Sequence, residues 1–175
     1  MNNLSFHITD ITANSIRANA SEIGLSVEEQ DTRIVIRITD NGSGMDAETA
    51  RRVTNPFYTT RTTRKVGLGL PFLIQNAEQT GGSVTLTSEP GKGTEVRAVF
   101  HSDHIDCPPW GDLPGTVALL ITGNPEINVC FEYRSGETGY SISTNEIKEI
   151  LDGFGFFFVT RLVQQGEHIL LVGFH

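Results

Sequence analysis

A strand gives way to a helix at residues 40–45, which read Asp40-Asn-Gly-Ser-Gly-Met45. The alternation of Ile34, Ile36 and Ile38 with other residues predicts the strand, and the acids of Asp46-Ala-Glu48 indicate the first turn of a short helix. Glycines between them permit positive φ and a close approach of the backbone to a ligand. An aspartate at this strand end can accept a hydrogen bond from an exocyclic amine, although Asp-Asn-Gly is also common in ordinary turns.

Residues 42–47 also match the glycine pattern of dinucleotide-binding turns, G-x-G-x-x-A. That unit needs a parallel strand after its helix and an acid about 20 residues further on. Residues 59–64 are instead predicted to be a loop rich in threonine and arginine, and the element before residue 40 is predicted to be a hairpin. The pattern therefore does not indicate a dinucleotide site.

Upstream, an amphipathic helix is predicted over residues 3–20. Asp10 and Asn14 are four residues apart and share one face of it, and Arg17 follows three residues later. An amide oxygen can supply one ligand to Mg²⁺ while substrate phosphates supply others. An isolated aspartate and asparagine at this spacing are more typical of a solvated helix surface. They therefore indicate a metal site only in combination with other motifs.

Downstream, a loop is predicted over residues 54–66, and the sequence around it is strongly basic. Five cations and no acid occur in residues 51–65, namely Arg51, Arg52, Arg61, Arg64 and Lys65. The loop leads into Val66-Gly-Leu-Gly-Leu70 and a helix predicted over residues 69–80. Backbone N–H groups at a helix start bind anions, and glycine lets a phosphate approach.

Together and in this order, the segments resemble the Bergerat-fold ATP-binding domain of the GHKL superfamily, which includes gyrase-type, mismatch-repair and histidine-kinase ATPases. Asp10-Ile-Thr-Ala-Asn14 resembles the N box, Asp40 to Gly44 the first glycine box, Asn55 to Arg61 the phenylalanine box, and Val66 to Leu70 the second glycine box. Gly81 to Thr94 is similar to the end of a histidine-kinase catalytic domain. Arg17 stands where histidine kinases carry Lys or Arg, which favours that branch.

The resemblance implies an α+β fold, a two-layer α/β sandwich with a mixed sheet. It covers about residues 3–101, so we predict an ATP-binding domain over 1–101. Residues 102–175 are then predicted to be a small acidic C-terminal α+β appendage of unknown role, with strands near 116–122, 128–134 and 139–143 and a helix over 145–151. A hairpin is predicted over 156–174.

The resemblance also assigns roles. Asp40 would bind the adenine amino group, Asn14 would hold Mg²⁺, and Asp10 would be the catalytic carboxylate. The other expected ATP-binding residues are Arg17, Gly42, Gly44, Met45, Phe57, Arg61, Lys65, Gly67, Leu68, Gly69 and Thr94.

Three departures from the family pattern bear on the reaction. Lys65 and Val66 replace the first two residues of the usual Gly-Thr-Gly-Leu-Gly, and Asp10 is one methylene shorter than the usual Glu. The chain also begins nearly at the N box, so no helical hairpin with a phospho-acceptor histidine is expected before it. The expected function is a histidine-kinase-like protein kinase acting on a separate protein in signalling. The alternatives are a nucleotide-gated regulatory module with little catalysis and a stand-alone GHKL ATPase.

Composition sets the remaining limits. The 175 residues carry a net charge of -8, of which residues 101–175 contribute -7 with 10 acids and 3 bases, the opposite of a nucleic-acid binder. The N-terminus carries no export signal, no apolar run reaches the length of a membrane span, and two cysteines make no disulfide framework. We therefore expect a cytoplasmic protein that binds neither nucleic acid nor membrane. The family resemblance implies that it binds ATP or ADP and a protein partner, and a homodimer is also expected.

Overall fold

A computed structural model of the chain describes residues 3–54 and 69–154. Within these ranges the chain forms five helices and six strands. The helices are α1 (Leu4–Arg17), α2 (Ala47–Thr54), α3 (Gly69–Gln79), α4 (Leu113–Gly123) and α5 (Thr144–Phe154). The strands are β1 (Glu22–Gln30), β2 (Arg33–Asp40), β3 (Ser83–Glu89), β4 (Gly93–His101), β5 (Asn128–Ser135) and β6 (Thr138–Ser143).

The strands form one mixed sheet in the order β3-β4-β2-β1-β5-β6. Neighbouring strands are antiparallel except β1 and β5, which are parallel and therefore need a crossover connection. The last residue of β2, Asp40, lies opposite Thr94 of β4. This register brings the predicted ligand-binding turn next to the β3–β4 hairpin.

Helices cover one face of the sheet because alternate strand residues are apolar and buried there. Ile34, Ile36 and Ile38 of β2 are each at most 4% exposed and join one core with Ile8 of α1 and Leu73 of α3. Burial of this apolar area is the main stabilising term of such a layer. The predicted α+β sandwich with a mixed sheet is confirmed.

The prediction of a strand near residues 116–122 is wrong, because these residues belong to α4. The apolar run from Val117 to Ile121 lacks polar alternation, and such a run does not distinguish a strand from a buried helix. Asp112 caps α4 by accepting a hydrogen bond from the N–H of Gly115 at 2.9 Å, and Pro114 suits the first turn. The helix supplies the crossover between β4 and β5.

Residues beyond 101 therefore extend the same sheet through β5 and β6. The boundary between residues 101 and 102 stays a prediction. The hairpin predicted over 156–174 lies outside the described residues.

Candidate functional site

A cavity of about 270 Å³ opens between α1, the end of β2 and the start of α3. Its described lining is mostly apolar and includes a smaller set of polar residues. The apolar lining comprises Ile11, Ala18, Ile38, Met45, Val53, Leu70, Leu86 and Val96, and the polar lining comprises Asn14, Ser15, Asp40, Ser43, Thr49 and Thr94, with Gly44 between them. A mostly apolar cleft with a few convergent polar groups is the usual form of a small-molecule site.

Asp40 is the half-buried carboxylate of this cavity. Its Oδ2 accepts a hydrogen bond from the hydroxyl of Ser15 at 2.6 Å, and its Oδ1 accepts one from the N–H of Gly42 at 2.9 Å. Each carboxylate oxygen has two acceptor sites, so one on each oxygen is left for a ligand. The carboxylate is therefore held in place and still able to accept from an amine.

The turn after Asp40 is shaped by close backbone packing. Gly44 has a φ of +62°, and a Cβ there would lie 2.0 Å from the carbonyl oxygen of Glu89. The carbonyl of Ser43 accepts from the N–H of Gly91 at 2.8 Å, and the hydroxyl of Ser88 accepts from the N–H of Met45 at 2.8 Å. The β3–β4 hairpin thus supports the turn from outside the cavity.

Asp10 lies beside the cavity, outside its lining, and packs against the start of α3. A Cβ at Gly69 would lie 2.7 Å from Oδ2 of Asp10, so only glycine allows this approach. Burial raises the pKa of Asp10, and the positive charge of Arg17 opposes that rise. Arg17 also donates a hydrogen bond to the amide oxygen of Asn14.

The structure brings some of the expected site residues into the cavity wall and leaves others beside it. Asn14, Asp40, Gly44, Met45 and Thr94 line the cavity. Asp10, Arg17, Gly42 and Gly69 do not line it but contact residues that do or flank them. Phe57, Arg61, Lys65, Gly67 and Leu68 lie outside the described residues.

Two serines that hold the site together were not among the expected residues. Ser15 follows Asn14 directly on α1, where a serine by itself does not mark a binding site. Ser88 is 43 residues from its partner Met45, so nothing local marks it. Ser88 and Asp40 both pair with Thr94 in the sheet, and this shared register, which no local sequence pattern shows, is what identifies Ser88.

The oxygen atoms that the cavity lining offers as ligands only partly suit a hard cation such as Mg²⁺. Asn14 is exposed and offers one amide oxygen, which is a donor type that Mg²⁺ accepts. Within residues 3–54 and 69–154, no group of three His, Cys, Asp or Glu side chains could hold a metal ion. A magnesium ion there would therefore need most of its ligands from a bound phosphate and water.

None of the helices in the described ranges has the length and apolar character needed to cross a bilayer.

Residues 3–104 match the family model described as histidine kinase-, DNA gyrase B-, and HSP90-like ATPase. The chain is 29% identical over 104 residues to the sensor histidine kinase YxdK of Bacillus subtilis, a match that covers 55% of this chain and 32% of that protein. It is 30% identical over 101 residues to sporulation kinase C of the same organism, covering 57% of this chain and 23% of that one. It is 34% identical over 91 residues to the sensor kinase CckA of Brucella abortus, a match that covers 51% of this chain and 10% of that protein.

These relatives are much longer than the segment that matches them, which spans about a third of their length or less. Among solved structures, the N-terminal domain of a DNA repair protein superposes with a TM-score of 0.50 at 17% identity, covering 82% of this chain and 52% of that chain. At that identity the likeness concerns the fold alone.

Proposed function

The chain belongs to the family of histidine kinase-, DNA gyrase B- and HSP90-like ATPases, and on that premise we propose that its cavity binds ATP with Mg²⁺ for phosphate transfer to a separate protein. The family makes it a histidine-kinase-like ATPase domain and implies nucleotide binding. The finer proposal is a protein kinase role in cytoplasmic signalling, in which Asp10 is the catalytic carboxylate. A protein partner and a homodimer belong to the same proposal.

The observation that carries the proposal is the environment of Asp40. Its carboxylate lies at the wall of a largely apolar cavity and is fixed by Ser15 and by the backbone of Gly42. A flat purine fits such a cleft, and a fixed carboxylate binds an exocyclic amine with high directionality. Thr94 lies opposite Asp40 in the sheet and adds a second polar group to the same wall.

The phosphates would extend toward the start of α3 and toward Asn14. The N–H groups at the start of a helix are suited to an anion. Asn14 would hold Mg²⁺ through its amide oxygen, and the ion when bound supplies neutralisation of phosphate charge. Arg17, three residues further on α1, adds a positive charge at the same end of the site.

Asp10 is proposed to receive a proton from the attacking group of the acceptor protein. A general base works best with a pKa near the working pH, and burial raises the pKa of Asp10 in that direction. Its contact with Gly69 keeps it beside the path from the cavity to the α3 start.

Calorimetric titration with ATP and ADP, with and without Mg²⁺, tests the binding part. We expect micromolar binding by the wild type and a loss of at least tenfold in Asp40→Asn, because the amide presents N–H groups where the ligand amine must donate. Asp31→Asn is the matched control, since Asp31 lies exposed in the β1–β2 turn and its positive φ of 51° suits asparagine. Equal binding by Asp40→Asn and wild type would overturn the assignment of the cavity.

Incubation with ATP labelled at the γ-phosphate and with candidate acceptor proteins tests the transfer part. We expect label to move to an acceptor with the wild type and not with Asp10→Asn. Asp10→Asn should still bind ATP, because Asp10 does not line the cavity. Transfer that is unchanged in Asp10→Asn would exclude its catalytic role.

A second candidate function is a nucleotide-gated binding module with little catalysis. The observation in its favour is the hydrogen bond from Arg17 to the amide oxygen of Asn14, the same atom proposed to hold Mg²⁺. Under this alternative, ATP binds with an affinity that Mg²⁺ does not change, and no turnover is measured. Under the kinase proposal, Mg²⁺ strengthens ATP binding and Asn14→Ala removes that dependence.

A further inference from the structure

Ser88 lies behind the wall of the cavity and joins three of its parts. Its hydroxyl is 2.8 Å from the backbone nitrogen of Met45, 3.0 Å from the carbonyl oxygen of Gly93 and 2.9 Å from the hydroxyl of Thr94. Ser88 is half-buried and does not line the cavity itself, whereas Met45 and Thr94 do. It therefore reaches any ligand only through its neighbours.

The direction of each of these three hydrogen bonds follows from the number of hydrogens and acceptor sites on the groups involved. A serine hydroxyl has one hydrogen and two acceptor sites. The N–H of Met45 can only donate and the carbonyl of Gly93 can only accept, so they take one acceptor site and the hydrogen of Ser88. The third bond is then satisfied only if the hydroxyl of Thr94 donates to the remaining acceptor site of Ser88.

This arrangement fixes what Thr94 offers to the cavity. Its single hydrogen is directed at Ser88, so only its oxygen lone pairs remain for a ligand. Asp40, which lies directly opposite Thr94 in the β2–β4 register, also offers acceptor sites. Asp40 and Thr94 therefore both present hydrogen-bond acceptors to the cavity, and a ligand that pairs with them must supply N–H donors.

We infer that Ser88 is a specificity-determining, positioning residue that makes the cavity select 6-amino over 6-oxo purine nucleotides. The inference rests on the proposed nucleotide-binding function and adds the source of base selectivity to it. A 6-amino group supplies N–H donors to Asp40 and Thr94, whereas a 6-oxo group places an acceptor against acceptors. A site whose polar groups are left unpaired by an analogue discriminates strongly against it.

Titration with ATP and with inosine triphosphate tests the inference, because the two nucleotides differ only at position 6 and in the protonation of N1. The wild type should bind ATP more tightly. In Ser88→Ala, the hydrogen of Thr94 becomes free to donate to a 6-oxo group, so the ratio of ATP to inosine triphosphate affinity should fall about three- to tenfold. Ser88→Thr retains the hydroxyl and should retain the wild-type ratio.

Ser83→Ala is the matched control, since Ser83 is exposed on the same strand and on its opposite face. It should leave both affinities and their ratio unchanged. Thermal unfolding of each variant checks that it is folded. If Ser88→Ala does not fold, Thr94→Val answers the same question, because it removes the acceptor and should weaken ATP more than inosine triphosphate.

The outcomes distinguish a failure of the proposed nucleotide binding from a failure of the role of Ser88. A wild-type protein that binds neither nucleotide overturns the proposed function. A wild type that prefers ATP, with Ser88→Ala losing affinity for both nucleotides by the same factor or for neither, overturns the role of Ser88 alone and leaves the proposed function in place.

Discussion

The hydroxyl of Ser15, on α1, lies 2.6 Å from Oδ2 of Asp40, at the end of β2, and donates a hydrogen bond to it. Ser15 is 3% exposed, so this bond is made largely out of water. It links the first helix to the one carboxylate in the described cavity lining. The orientation of Asp40 thus depends on a residue of a different element.

Replacing Ser15 by alanine should weaken both the fold and ligand binding. A lost buried hydrogen bond costs about 1 kcal/mol, and a carboxylate that can rotate binds an amine about fivefold less tightly. Urea denaturation and ATP calorimetry measure the two effects. Ser141→Ala is the control, since Ser141 is exposed on β6. Unchanged ATP affinity in Ser15→Ala would contradict the positioning role.

The two glycines Gly44 and Gly91 offer a matched test of the turn that follows Asp40. Both have positive φ, +62° and +76°, but an added Cβ meets the carbonyl oxygen of Glu89 at 2.0 Å from Gly44 and meets nothing within 4 Å from Gly91. Gly91→Ala should cost about 1 kcal/mol of unfolding free energy from backbone strain alone. Gly44→Ala should cost about 1–3 kcal/mol more, because the backbone must also move.

Calorimetry should show that Gly44→Ala also loses ATP binding while Gly91→Ala keeps it. The turn carries Ser43, Gly44 and Met45 into the cavity wall, whereas Gly91 does not line the cavity. Equal destabilisation by the two substitutions would mean that the contact with Glu89 does not constrain the turn.

The sequence was sufficient for the parts of the molecule that local chemistry determines. Alternating isoleucines predicted β2, and the glycines after Asp40 predicted a turn with positive φ, which Gly44 adopts. The order of the motifs led to the α+β sandwich. In the first two cases the signal lies within a few neighbouring residues, and in the third it lies in the order of such segments along the chain.

The parts that depend on pairing between distant segments were not predictable in this way. The parallel pairing of β1 with β5 requires a crossover, and the apolar run that makes it, from Val117 to Ile121, was predicted to be a strand. Ser88 comes close to the turn that contains Met45 because Ser88 and Asp40 both pair with Thr94 in the sheet. Side chains that act from behind the cavity wall leave no local pattern.

A buried histidine makes the stability of the fold depend on pH. His7 is 1% exposed, and its Nε2 lies 2.8 Å from Nδ2 of Asn76, while its Nδ1 has no partner within the described residues. Burial lowers the pKa of His7 below the usual 6.5, so the unfolded chain binds the proton more readily than the folded one. Stability is therefore complete above about pH 6.5 and falls as the pH is lowered toward the folded-state pKa.

Urea denaturation between pH 5 and 8 should reveal this loss, with a slope of at most about 1.4 kcal/mol per pH unit from one proton. His7→Gln keeps an acceptor for Asn76 and cannot take up the proton, so its stability should depend less on pH over the same range. His104→Gln is the control, because His104 is exposed. A slope that persists in His7→Gln would assign it to other groups.

Asp10 should lower the free energy of unfolding near neutral pH, as expected for a residue with a catalytic role and not a stabilising one. Burial raises its pKa above 3.8, so the folded state holds the proton more tightly than the unfolded state. Stability from this group is then present at low pH and is lost as the pH rises through the folded-state pKa. Asp10→Asn should therefore be at least as stable as the wild type at pH 7, although it should lose phosphate transfer.

The positive charge of Arg17 should offset part of the destabilisation caused by Asp10. A double-mutant cycle measures the size of this effect. Arg17→Met leaves the carboxylate of Asp10 without the neighbouring cation and should lower the unfolding free energy at pH 7. The same substitution in the Asp10→Asn background should cost less, and the difference should be about 0.2–1 kcal/mol, the size of a partly exposed ion pair. The hydrogen bond from Arg17 to Asn14 is lost in both backgrounds and cancels. A difference of zero, or one that does not shrink in high salt, would show that Arg17 does not stabilise the charge of Asp10.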